Sequence, residues 1–88
     1  MMFIILSYDI GTKRNHKILK ICRRYLFHIQ KSVFEGYLKE IQLESLKESI
    51  RKVVNPKEDQ VVIYKYHFGR IEKDIIGNYN YNMLSNIL

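Results

Sequence analysis

Cysteine, proline and metal-binding spacings are scarce in this chain, and each shortage narrows what it can be. The single cysteine, Cys22, cannot close an internal disulfide; it falls on the apolar side of a helical repeat and reads as a small core residue in a reducing compartment. It also has no visible base partner that would make it a nucleophile. No His-x-x-x-His or Cys-x-x-Cys spacing occurs, which argues against zinc, and His16, His28 and His67 read as surface or strand-end residues. One proline and four glycines, beside an apolar fraction of 47%, argue for a folded chain. The apolar run from Met1 to Leu6 ends before Asp9 and has no basic residues ahead of it. Neither a signal peptide nor a membrane span is expected, and the protein is expected in the cytoplasm.

Acidic residues are missing from one long stretch. Between Ile10 and Phe34 stand seven basic residues, Lys13, Arg14, Lys17, Lys20, Arg23, Arg24 and Lys31, with no Asp or Glu. The remainder holds eight basic against nine acidic residues, so the whole excess behind the net charge of +6 sits here. Cations gathered in this way favour a polyanion such as nucleic acid, because each phosphate neutralised releases counterions. A solvated basic helix face is the plainer alternative. With 88 residues there is room for one core only, and much surface is left for an oligomer to bury.

The chain is organised around its opening stretch. In Met2 to Asp9 both registers are apolar, Phe3 and Ile5 on one side and Ile4 and Leu6 on the other, which predicts a central strand covered on both faces. Open sheets bind ligands beyond the carboxyl ends of their strands, and Asp9 falls there. After a turn through Gly11, with Thr12 available as an N-cap, Ile18, Leu19, Ile21, Cys22, Tyr25 and Leu26 recur at helical spacing. Lys13, Lys17, Lys20 and Arg24 gather on the opposite side of that helix, Lys13 to Phe27, as a cationic ridge. Residues 28–38 alternate as strand; alternation leaves open one bent strand or two turning near Lys31-Ser32. A second helix is predicted from Lys39 to Val54 through Leu43, Leu46, Ile50 and Val53, with Glu48 and Lys52 able to pair, and Asn55-Pro56 ends it. Gln60 to Tyr66 is the next clear strand, Gly69 breaks it, and Ile71, Ile75 and Ile76 suggest one more short strand. The order is βαββαβ, an α+β plan with two helices on one face of a mainly antiparallel sheet.

Tyr8-Asp9-Ile10 closing the first strand, a basic helix, and then Ile29-Gln30-Lys31-Ser32-Val33-Phe34-Glu35-Gly36 resemble the small CRISPR-associated protein that partners the CRISPR integrase in spacer acquisition. The likeness runs from about Met2 to Tyr66. It implies a ferredoxin-like fold with two strands in 28–38, a domain over 1–68, and an extension over 69–88 whose last strand completes a dimer partner's sheet. It implies a homodimer that binds DNA or RNA, bridges integrase dimers and holds captured DNA between them. It further implies an endonuclease whose Mg²⁺ is shared between the two Asp9 of the dimer, with single-stranded RNA or double-stranded DNA as substrate. Members of the family need not cut, so adaptor and nuclease are separate expectations. From the residues alone, Asp9 could equally make an Asx-turn before Gly11, and no second acidic pocket is visible, since Asp59 and Asp74 lie in connecting or late segments. Lys13, Arg14, Lys17, Lys20, Arg24 and Lys31 are the candidate phosphate contacts. Two rivals share the plan: a toxin ribonuclease of the virulence-associated protein D type, and a ferredoxin-like module binding a small ligand. An RNA-recognition domain also shares it, but its Gly-aromatic signature is absent.

Replacing Lys13, Lys17, Lys20 and Arg24 together with alanine is expected to weaken DNA binding and flatten its dependence on salt by about 3 to 4 in the log–log slope, as measured by fluorescence anisotropy. Unchanged binding at low and high salt would refute the ridge.

Overall fold

The computed structural model describes residues 1–78. Its elements are β1 (Met2–Asp9), α1 (Thr12–Arg23), β2 (Phe27–Gln30), β3 (Val33–Leu38), α2 (Glu40–Arg51), β4 (Gln60–His67) and β5 (Arg70–Gly77). They build one sheet in the order β2-β3-β1-β4-β5, antiparallel throughout, with β1 at its centre. The ferredoxin-like arrangement is as expected, including two strands in 28–38. The chain reverses between them at Lys31 and Ser32, with Lys31 in left-handed backbone at φ 39°.

Alternation along β1 decides where the core lies. Met2, Ile4, Leu6 and Tyr8 are buried against Ile18, Ile21 and Cys22 of α1 and Leu43, Leu46 and Ile50 of α2, within one cluster that also holds Phe34. Truncating any of these fully buried aliphatics costs about 2–5 kcal/mol. Burial pushes the Cys22 thiol up to about 12, so it is the inert core residue its position suggested. The other register, Phe3, Ile5, Ser7 and Asp9, is not covered by helices. The expectation of a strand enclosed on both faces is corrected for the described residues: both helices pack on one side, and none of the described elements covers the other. Cross-strand register places Tyr37, Tyr64, Tyr66, Ile71 and Ile75 on that open face. Tyr37 is 65% exposed and Ile71 71%.

Element ends differ from the periodicity in instructive ways. α1 stops at Arg23 and not Phe27, because Tyr25 and Leu26 turn back to donate to the Cys22 carbonyl at 3.1 and 2.9 Å. Leu26 still reaches the core. Thr12 is the first helical residue; the N-cap is Gly11, with no side-chain cap. α2 runs Glu40–Arg51, with Gln42 accepting from the Lys39 N–H at 2.8 Å. Glu48 meets Arg51 at 3.7 Å in place of Lys52.

β5 is longer than the predicted short strand, and it pairs with β4 of its own chain. The reason lies in the Phe68-Gly69 turn: both residues have positive φ, 53° and 73°, the geometry of a two-residue hairpin whose twist matches its strands. Lys47, buried in α2, also bonds Asp74 of β5, and Lys65 meets Glu72 at 3.1 Å. β4 and β5, on either side of residue 68, belong to one sheet. The tail expected to dock on a neighbour lies, beyond Asn78, outside the described residues. Among the described residues no helix is long and apolar enough to cross a membrane.

Gly77 closes β5 at φ 98°, and a Cβ there would sit 2.2 Å from the Asp59 carbonyl oxygen. Gly77→Ala is expected to lower stability by about 2 kcal/mol or more, read as a shift in the urea midpoint.

Candidate nucleic-acid and metal site at the end of the first strand

Asp9 ends β1 opposite Gln60 of β4, exposed and on the open face. Its carboxylate makes no hydrogen bond or ion pair with the described residues. Tyr8 points the other way, into the core beside Phe34, and burial raises its phenol pKa. The β2–β3 turn comes alongside, tied by the Tyr8 N–H donating to the Ser32 carbonyl at 3.1 Å, while His28 Nε2 bonds the Lys31 carbonyl at 2.5 Å. The two motif segments, distant in sequence, thus meet. Tyr8, Asp9, Ile10, Asn15, Lys31 and Ser32 line one shallow depression of about 350 Å³.

The cations divide into two groups. Lys13, Lys17, Lys20, Arg24 and Lys31 are exposed and form no ion pair among the described residues, nor do Arg23 or, outside this stretch, Lys39, Lys52, Lys57, Arg70 and Lys73. α1 also carries no acid in its first turn. By contrast Lys47, Lys65 and Arg51 are paired with Asp74, Glu72 and Glu48. Arg14 belongs with the paired group: its Nε and Nη2 reach the two oxygens of Asp59 at 2.5 and 2.9 Å, and Nη2 reaches Glu58 at 3.0 Å.

Asp59 is the residue that sequence reasoning passed over. Fully buried, it also accepts the N–H of Gly11 at 2.9 Å and of Asn55 at 2.7 Å. The Arg14 guanidinium, aided by these N–H groups, holds its carboxyl down at about 2, from an ordinary 3.8. An Asn-Pro turn closing on an Asp four residues later was the local signal; nothing local pointed to Gly11 or Arg14.

A hard cation such as Mg²⁺ takes oxygen donors, often one or two carboxylates with waters and phosphate oxygens. Among the described residues no three His, Cys, Asp or Glu side chains cluster to hold a metal. The unpaired Asp9 is a suitable donor, but one per chain. The residues fit such an ion only where a second copy brings its own Asp9.

A ferredoxin-like sheet, a free carboxylate closing its central strand and a cationic helix springing from that carboxylate define a small α+β protein suited to phosphate-bearing ligands. The family profile described as CRISPR associated protein Cas2 matches residues 2–73, and the chain belongs to that family. It is 39% identical over 78 residues to the CRISPR-associated endoribonuclease Cas2 2 of Archaeoglobus fulgidus, spanning 88% of this chain and 85% of that protein. It is 44% identical over 80 residues to the CRISPR-associated endoribonuclease Cas2 2 of Moorella thermoacetica, spanning 83% and 88%. A solved cas2 crystal structure superposes with a TM-score of 0.73 at 32% identity, covering 88% of this chain and 87% of the other.

Because the Asp59 pKa is depressed, its contribution, about 2 kcal/mol, is complete above pH 4 and is lost as pH falls toward 2. Asp59→Asn is expected to cost about 2–3 kcal/mol at pH 7, and its deficit relative to the wild type should shrink between pH 4 and 2 in denaturation titrations.

Proposed function

We propose that this chain is a spacer-acquisition adaptor of a CRISPR system: a homodimer that grips nucleic-acid phosphates with Lys13, Lys17, Lys20, Arg24 and Lys31 and docks on CRISPR integrase dimers. Family membership is the observation that carries this reading. The open sheet face supports the dimer, since contiguous exposed apolar surface marks an interaction site. Asp9 shares that face with Phe3 and Ile5, so a two-fold stacking of open faces whose axis passes near the carboxyl ends of both β1 strands would bring the two Asp9 side chains toward one another.

Endonuclease activity on single-stranded RNA or double-stranded DNA is the second part of the proposal. The relatives are named endoribonucleases, which favours RNA. The two Asp9 carboxylates would hold one Mg²⁺, which supplies Lewis-acid polarisation of a phosphodiester and activation of water. The chain's own contributions are separate: unpaired lysines orient the backbone by its charge, and Tyr8 anchors the strand end in the core. Unpaired cations weigh against a module for a small neutral ligand. The family match weighs against the toxin reading.

Asp9→Asn is expected to lower Mg²⁺-dependent cleavage at least about 100-fold while leaving dimer mass and capture of a CRISPR integrase unchanged. Cleavage surviving in a preparation free of contaminating nuclease would remove Asp9 as the ligand. Failure to capture the integrase would remove the adaptor.

A further inference from the structure

The stretch Asp9–Gly11 is held from two directions by two adjacent residues. Gln60 is the cross-strand neighbour of Asp9, and Asp59 accepts the Gly11 N–H at 2.9 Å. Asp59 is in turn fixed by the Asn55 N–H at 2.7 Å and by Arg14, whose side chain returns from the first turn of α1. The carboxylate is fully buried and its oxygens are shared among four N–H groups, two of them the parallel fork of one guanidinium. The loop into α1 and the loop into β4 are therefore locked to one another two residues beyond Asp9.

We propose that Arg14 and Asp59 are positioning residues for Asp9, and that Arg14, although it lies within the cationic stretch, is not a phosphate contact. Nε and Nη2 of Arg14 are committed to Asp59 and Glu58, and only Nη1 stands outside these bonds. Turning that fork to a phosphate would leave a buried carboxylate without its counter-charge, a loss that a solvated phosphate does not repay. Lys13 and Lys17 carry no such commitment. In its place the guanidinium orients a turn, as outer-layer partners orient the ligands of a metal site. This rests on the reading of Asp9 as a metal ligand, and it adds the residues that set the direction of its carboxylate.

The test uses the full chain as wild type, Arg14→Ala, Arg14→Lys, Asp59→Asn and Lys13→Ala. Three quantities are read: the slope of log affinity for duplex DNA against log salt, Mn²⁺ affinity by electron paramagnetic resonance, and hydrogen exchange of the Gly11 amide by NMR. Lys13→Ala should reduce the slope by about one, and Arg14→Ala should leave it at the wild-type value. Arg14→Ala and Asp59→Asn should each weaken Mn²⁺ binding about 10-fold or more and speed exchange at Gly11. Arg14→Lys, which folds with its charge kept but loses the fork, should fall between. A slope reduced by about one in Arg14→Ala, or Mn²⁺ affinity and Gly11 exchange unmoved in Arg14→Lys and Asp59→Asn, overturns the proposal. Absence of Mn²⁺ binding in the wild type would instead defeat the reading of Asp9. The latch would then stand if the Arg14→Ala slope is unchanged and Gly11 exchange is faster, and fall otherwise.

Discussion

Two helices of 12 residues each cover one face of a five-stranded sheet, and the described chain has nothing to lay on the other. That one-sided coverage governs the rest of the molecule. It makes β1 a strand with an enclosed register of Met2, Ile4, Leu6 and Tyr8 and an open register of Phe3, Ile5, Ser7 and Asp9. It leaves Tyr37, Tyr66 and Ile71 exposed at the surface formed by the described residues. It also places the one free carboxylate of the strand end on the face that has no cover.

Much of this was legible beforehand, for reasons that can be named. Helical spacing from Ile18 to Leu26 and from Leu43 to Ile50 identified both packing stripes, and these residues are in or against the core. The two-register apolar run located the central strand. It could not say what covers each register, because a face awaiting a second molecule and a face under a helix of the same chain select the same residue types. Likewise the alternation at 28–38 could not reveal the reversal at Lys31, where the backbone goes left-handed in a residue with no special liking for it. The family likeness supplied that reversal. The local chemistry of Phe68-Gly69 folds β5 back onto β4.

The site divides along the same line. The place of Asp9 was legible, because a carboxylate that closes an apolar strand stands at its exposed end. The pairing of Arg14 was not legible because residue type and sequence neighbours describe a helix surface, whereas its partner stands 45 positions away. A residue 48 positions from Gly11, in a segment that looked like a mere connection, fixes the entry to the helix. Long-range polar contacts of this kind leave no period in a sequence, and only the packed chain exposes them.

Internal pairing removes Arg14, Lys47, Arg51 and Lys65 from the outward field; cations elsewhere are balanced by the acids of the rest of the chain, whereas the ridge of α1 and the neighbouring Lys31 lie in a stretch without any acid. The folded chain is thus an electric dipole as well as a cation. A polyanion approaching from any side would exert a torque on it before contact, so that encounters begin already oriented and the rate of capture answers to ionic strength more steeply than net charge alone implies.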